Sequence, residues 1–261
     1  MASPSTTHVD VADLTRRVQE VYRAVAERPD GRYHFELGRS LAARLGYPAQ
    51  LLDQIPAPAL ESFAGVGYFF DLARPAAGER VLDLGSGSGT DVFAAAALVG
   101  GTGRVTGLDM TDAQLDKAER LRVAAGIDTV DFVAGRIEDP PPPDASVDLV
   151  ISNGVVNLSA DKSAVFAAAA RVLTPGGRLA LADIVTERPL TAQITCNAEL
   201  WAACIGGAAQ RDTYLAAIEA AGLEIRTVRD NPQYRFLSGS ARAATDTYGV
   251  TSISLLAVKP A

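Results

Sequence analysis

Residues 80–92 read RVLDLGSGSGTDV: a short apolar run, glycines on alternate positions (Gly85, Gly87, Gly89), then a helix-forming stretch. A strand that ends in closely spaced glycines before a helix is the opening unit of an α/β sheet. Glycine lets the backbone turn sharply and approach a ligand at the sheet's carboxyl edge. The sequence downstream repeats the alternation. RVTGLDM (Arg104–Met110) predicts a second strand, VDFVAG (Val130–Gly135) a third, VDLVISN (Val147–Asn153) a fourth and RLALADIV (Arg178–Val185) a fifth. Helices are predicted over Val92–Leu98, over Leu115–Leu121 and over Ala164–Leu173, the last stopped by Pro175-Gly176-Gly177. Thr111 with Gln114 three residues on predicts a capping box for the second of these. The strands are apolar throughout rather than alternating, which predicts a parallel sheet covered by helices on both faces.

The flanks differ. Val11, Leu14, Val18, Val21, Tyr22 and Val25 recur at helical spacing within 9–26, and 35–45 continues in that style until Gly46-Tyr47-Pro48. Short isolated helices are marginal alone, so residues 1–63 are expected to form a helical cap over a main unit of 64–261. At the other end, a helix over Thr213–Ala221 precedes EIRTVRD and VTSISLLAVKP. The polar stretch Asn231–Asp246 between those two strands shows no convincing helix, so an antiparallel pair is expected. Residues 187–212 are expected as an insertion on the substrate side.

The 261 residues are 48% hydrophobic, enough for a large core, and the formal net charge is −7. An acidic chain repels phosphate backbones and anionic membranes, so neither nucleic acid nor a membrane surface is an expected partner. No apolar run is long enough for a bilayer, the first residues lack a signal-peptide pattern, and two cysteines are too few for a disulfide scaffold. A cytoplasmic location is expected.

Three features of the glycine loop argue against a dinucleotide. The spacing is G-x-G-x-G, not the pyrophosphate fingerprint G-x-G-x-x-G. The strand ends in Asp83, whose carboxylate repels a pyrophosphate but suits a cation. The second strand ends in Asp109, about 20 residues on, suited to a ribose diol. Acid at both points suits S-adenosylmethionine, which carries a sulfonium and an ammonium but no phosphate. The expected cofactor-binding residues are Asp83, Gly85, Ser86, Gly87, Gly89, Asp109, Met110, Gln114, Arg136, Ile137, Glu138 and Asn153. Met110 and the Arg136–Glu138 turn are expected to wall the adenine, and S-adenosylhomocysteine is the expected product.

With these residues placed, VLDLGSGSGTDVF, GRVTGLDMTDAQLDKA, ISNGVVNLSADK, RVLTPGGRLALADIV and LWAACIGGA together resemble class I S-adenosylmethionine-dependent methyltransferases, and more narrowly the arsenite methyltransferases. The resemblance covers roughly residues 64–223 and implies a Rossmann-like, doubly wound sheet of seven strands, mostly parallel, with a reversed last strand. It also implies three thiolates that hold trivalent arsenic, soft ligands for a soft centre. Only Cys204 matches one of them; the other two positions hold Val66 and Gly154. Cys196 is an extra thiol eight positions from Cys204, about 12 Å of helical rise.

The loss of two thiolates favours a small organic acceptor over arsenite or another thiophilic element. A protein that binds the cofactor without transferring its methyl is the third reading. Val66, Gly154, Asn157, Trp201 and Cys204 are the expected substrate-side residues, and no resident metal site is expected. His34 and Tyr68 are the candidate catalytic residues: His34 is the one histidine beyond the first few residues, and Tyr68 sits among cap aromatics. In-line approach to a sulfonium methyl in a dry site needs little further help, so a dedicated base is optional.

Overall fold

A computed structural model describes residues 10–195, 201, 206–237 and 239–261. Its strands are β1 (Arg80–Leu84), β2 (Arg104–Asp109), β3 (Val130–Ala134), β4 (Val147–Asn153), β5 (Leu173–Thr186), the two-residue β6 (Ala209–Gln210), β7 (Glu224–Asp230) and β8 (Thr251–Val258). They form one sheet in the order β3-β2-β1-β4-β5-β8-β7, with β6 pairing β5 to one side. Strands β1 to β5 pair in parallel, whereas β8 runs antiparallel to both β5 and β7.

The continuous apolar strands follow from burial on both faces. Val81, Leu149 and Ile151 join one hydrophobic cluster, while their strand neighbours Leu82, Leu84 and Val150 join the other. Successive side chains alternate across a strand, so each run feeds two cores at once. Each such side chain contributes about 1.5–3 kcal/mol when fully buried. The first cluster also takes in α6 (Thr90–Val99) and the short N-terminal helices; the second takes in α8 (Lys162–Val172) and α10 (Arg211–Ala220).

The N-terminal helices are α1 (Val11–Glu27), α2 (Arg39–Leu45), α3 (Ala49–Leu52) and α4 (Ala57–Glu61), followed by α5 (Phe70–Ala73). Asp10 caps α1 by accepting from the amides of Ala12 and Asp13. Leu14, Val18 and Val25 form the buried stripe of α1. The helix docks on the end of β2 and on α7 (Asp112–Ala125) through three long-range bonds: Gln19 Nε2 donates to the Met110 carbonyl (2.9 Å), Gln114 Nε2 to Tyr22 (2.9 Å) and Lys117 Nζ to Ala26 (3.1 Å).

Three local expectations are corrected. Thr111 stands at the N-cap of α7 but makes no side-chain cap bond, and the Gln114 side chain that would complete the box bonds instead to the Tyr22 carbonyl and Ser88 Oγ. Tertiary partners outcompete the local box. The Pro175-Gly176-Gly177 break lies inside β5: Val147 pairs with Leu173, and pairing resumes at Leu149 with Arg178. The strand therefore bulges where a stop is expected. Finally, the polar stretch between β7 and β8 holds a helix, α11 (Gly239–Tyr248). Its core contacts come from Ala244 and Tyr248, too few and too small to show as a hydrophobic period. The last short helix of the described residues is α9 (Ala192–Thr195).

Candidate active site

At the carboxyl edge the chain from β1 to α6 turns through Gly85, Gly87 and Gly89, all at positive φ (81°, 54° and 92°). This conformation costs an L side chain energy and is free to glycine. The loop is tied to β2. The amides of Gly85 and Ser86 donate to the Leu108 carbonyl, and the Gly87 amide donates to Asp109 Oδ2 at 2.9 Å. Asp109 Oδ1 accepts from the Thr111 amide at 2.8 Å. Two backbone amides thus fix this carboxylate and leave lone pairs on both oxygens for a diol. Burial pushes its pKa up, and those two amides pull it back.

Above the loop lies a cleft of about 1070 Å³, its open mouth included. Asp83, Gly85, Ser86, Gly87, Asp109, Met110 and Gln114 line it from the first two strand ends. Arg136, Ile137 and Glu138 line it beyond β3, and Asn153 beyond β4. Val11, Leu14, Val18 and Tyr22 of α1 close the opposite wall. Glu138 accepts from Ser159 Oγ at 2.6 Å and pairs with Arg136 at 3.3 Å, so it is a fixed part of that wall. Gly89 does not line the cleft; it opens α6 beneath Phe132 and Phe93, where a Cβ would come within 2.8 and 2.9 Å of their rings.

Two residues without an expected role stand at the cap end of the cleft. Asp91, in the first turn of α6, is 5% exposed and accepts from Tyr47 Oη at 2.5 Å and from Asn153 Nδ2 at 3.0 Å. Asn153 also accepts on Oδ1 from the amides of Val66 (2.8 Å) and Gly67 (3.3 Å). Its side chain therefore holds the 66–67 backbone while also lining the cleft. Burial raises the Asp91 pKa to about 6, with Tyr47 and Asn153 holding it down. Asp83 is pushed well above the carboxylate range by burial first, then by the charges of Asp91 and Asp109. The aspartate after the glycines was a visible signal for Asp91. Tyr47 lay hidden in Gly46-Tyr47-Pro48, which reads as a helix stop.

The substrate-side residues are placed less uniformly. Val66 and Gly154 adjoin: a Cβ on Gly154 would lie 3.1 Å from Val66 Cγ1. The φ of 74° at Gly154 favours glycine there. Neither residue lines the cleft. Asn157 is fully buried in a single 3-10 turn (Val156–Leu158), and its carbonyl accepts from Lys162 Nζ at 3.3 Å. Trp201 is 6% exposed; its indole donates to the Thr195 carbonyl at 2.7 Å, and Lys162 Nζ stands 5.0 Å from its ring centre. Cys196 and Cys204 lie outside the described residues. His34 packs edge-on to Phe35 at 4.8 Å, and Tyr68 packs on Tyr47 at 4.8 Å. Neither of these two candidate catalytic side chains lines the cleft; both pack in aromatic contacts beside it.

The donor set fits a ligand with a diol at one end and cationic groups at the other. Asp83 takes no hydrogen bond from the described residues although it is 2% exposed, and the buried Ser86 Oγ has no partner. No helix among the described residues is long and apolar enough to cross a membrane.

Comparison with known proteins agrees with this geometry. The family model described as "Methyltransferase domain" matches residues 75–222. The chain is 39% identical to the arsenite methyltransferase of Halobacterium salinarum, over 72% of this chain and 48% of that protein. It is 34% identical to the 27-O-demethylrifamycin SV methyltransferase of Amycolatopsis mediterranei, over 60% of this chain and 58% of that protein. The chain thus spans about half the length of these curated relatives. Among solved structures, an arsenic(III) S-adenosylmethionine methyltransferase from Chlamydomonas reinhardtii superposes with a TM-score of 0.62 at 30% identity, over 86% of this chain and 74% of that one. With the family model matched over more than half of its residues, the chain belongs to the methyltransferase-domain family of S-adenosylmethionine-dependent enzymes.

Proposed function

We propose that this chain moves the methyl group of S-adenosylmethionine to a small organic acceptor bound at the cap end of the cleft. One observation carries the choice of acceptor. Val66 and Gly154 adjoin at the two positions where the resemblance to arsenite methyltransferases implies thiolates, and neither bears sulfur. Of the three implied thiolates only Cys204 remains, which gives soft arsenic one matched ligand where chelation needs several. The relative from Amycolatopsis mediterranei, named for an organic acceptor, supports the same reading.

In this reading the Asp109 carboxylate accepts both ribose hydroxyls, and Met110 and Ile137 flank the adenine. Glu138 takes the exocyclic amine and Asp83 faces the cationic end. Bound S-adenosylmethionine supplies an electrophilic methyl on its sulfonium. The chain's own contribution is to fix the two reactants in line and keep water out. A helical cap over 1–63, a cofactor-binding unit over 64–261 and a substrate-side segment over 187–212 belong to the same proposal.

Arsenite is the second reading, favoured by relatives of that name at 39–40% identity. Release of S-adenosylhomocysteine with arsenite, compared with a panel of phenolic, enolic, amine and thiol acceptors, decides between them. Turnover with an organic acceptor that survives replacement of Cys196 and Cys204 by serine supports the proposal. Turnover with arsenite that the double replacement abolishes refutes it. Cofactor binding without turnover of any acceptor points to a non-catalytic binding protein.

A further inference from the structure

Lys162, the first residue of α8, does not line the cleft, and its ammonium is turned inward. It donates to the Ser159 carbonyl at 2.9 Å and to the Asn157 carbonyl at 3.3 Å. It also stands 5.0 Å from the centre of the Trp201 ring, a cation–π contact. Among the described residues no carboxylate bonds to it, so carbonyls and an indole face hold a charge that is costly to bury. The indole is pinned in turn: its N–H donates to the Thr195 carbonyl at 2.7 Å. Gly207 lets the ring and the Asn157 carbonyl come together; a Cβ there would strike that carbonyl and lie 2.7 Å from the ring. Lys162 is thus the joint between Trp201, within 187–212, and the turn that follows β4.

That turn faces the cleft. Leu158, Ser159 and Ala160 line it, and Ser159 Oγ donates to Glu138 at 2.6 Å. Ser159 therefore touches the cofactor wall with its hydroxyl and Lys162 with its carbonyl. We propose that Lys162 is a positioning residue that couples the cofactor cleft to the substrate-side segment, fixing Trp201 through Ser159 once Glu138 has its ligand. The proposal rests on the reading that sets Glu138 against the adenine. Coupling of this kind is reciprocal, so an acceptor that settles the segment also tightens the hold on the cofactor. Burial lowers the Lys162 pKa to about 8, with Asp183 of β5 and then Asp161 at the start of α8 holding it up. Tyr214 of α10 stands behind Asp183, and the 156–159 turn and Trp201 present no charge. The ammonium, and the coupling with it, fades as pH rises through about 8.

Trp201 is the chain's only tryptophan, so indole fluorescence reports on it alone. S-adenosylhomocysteine is titrated into the protein, with calorimetry reading binding and acrylamide quenching of the fluorescence reading Trp201. In the wild type at neutral pH, quenching falls along the same curve as binding. Lys162→Met keeps the reach of the side chain and loses the charge. It binds the ligand within about threefold of wild type and loses the quenching response. Lys162→Arg, which restores a cation suited to an aromatic face, recovers the response. A wild-type Trp201 that ignores bound ligand, or a Lys162→Met protein that responds as the wild type does, overturns the proposal. The pH profile needs no variant: the wild-type response fades above about 8 while binding persists, and a response unchanged across that pH also overturns it. Glu138→Ala with unaltered S-adenosylhomocysteine affinity removes the adenine reading instead, a result separate from any behaviour of Lys162.

Discussion

The contacts that fix the glycine loop itself span short stretches of chain: 22 residues from Gly87 to Asp109 and 26 from Ser88 to Gln114. At the cap end the polar contacts span 87 residues from Val66 to Asn153 and 186 from Val66 to Ser252. The first end is made by one strand-loop-helix unit and its neighbour strand. The second is made by threading the 64–68 backbone between Asn153 on one side and Ser252, Ser254 and Asn231 on the other. Local units tolerate changes elsewhere; a threaded segment depends on several distant elements at once. The glycine-loop end should therefore lose function without losing the fold, and the cap end should lose both together.

The largest expected effect is at Asp109. In the proposed reading Asp109→Ala removes a carboxylate that accepts two ligand hydroxyls, each charged hydrogen bond worth about 1.5–3 kcal/mol. S-adenosylmethionine affinity should fall by at least about a hundredfold, while the loss of an acceptor for two loop amides lowers the melting temperature by less than the loss of Asn153 does. Unaffected binding in a calorimetric titration would break the assignment of this end. A large drop in melting temperature would break its independence from the fold.

The same contrast sets what was readable in the sequence. The order of strands β1 to β5, the loop glycines and Asp109 follow from motifs that each occupy one short window, where a type of residue has one physical use. Tyr47 and the Val66–Gly154 contact have no such window. Tyr47 carries a turn signal in its neighbours and finds Asp91 only once α3 and α4 have packed on α6. Asn153 was visible as the residue ending β4, but its partners Tyr47, Val66, Gly67 and Asp91 lie far from it in sequence, so its hold on them was not. His34 was singled out by chemical type and Tyr68 by its place among neighbouring aromatics, and neither says which way a side chain packs. Helix α11 was missed for a related reason: alanine and tyrosine at its buried positions leave no periodic signal.

Next in size is Asn153→Ala. Asn153 exchanges bonds with Val66, Gly67, Tyr47 and Asp91, and its loss leaves several buried partners unsatisfied. Each costs about 1 kcal/mol or more, so denaturant melts should show a loss of about 2–4 kcal/mol. A loss near zero would mean that the cap segment is held by β8 alone, and the two ends would then differ less than their contact spans suggest.

Asp183 sharpens the comparison because it resembles Asp91 in all but the cleft. Burial raises its pKa to about 6, opposed by hydrogen bonds from Tyr214 Oη (2.7 Å) and the Ile184 amide (2.8 Å). A carboxyl whose folded pKa lies above its unfolded value of 3.8 stabilises the fold below 3.8 and loses that contribution as pH rises through about 6. Between pH 4 and 7 the wild type should lose about 2–3 kcal/mol relative to Asp183→Asn. The measure is the difference between their denaturant melts across pH. Cofactor should leave this slope unchanged, since Asp183 does not line the cleft. A slope that cofactor flattens would join Asp183 to the site.

The smallest effect is expected at the rim. Arg136 is about half exposed and pairs with Glu138 at 3.3 Å. Exposed pairs contribute about 0–1 kcal/mol and are screened by salt. Ile137, by contrast, is 9% exposed against the same cleft, and apolar contact of this kind is indifferent to ionic strength. Arg136→Ala should therefore change cofactor affinity by no more than about fivefold, with the difference vanishing in high salt. Ile137→Ala should cost more and keep its cost there. If Arg136→Ala proves the more damaging, the wall of the glycine-loop end works by charge instead of by apolar contact. The two ends of the cleft would then both be electrostatic sites, differing only in the sign of the group that the protein supplies.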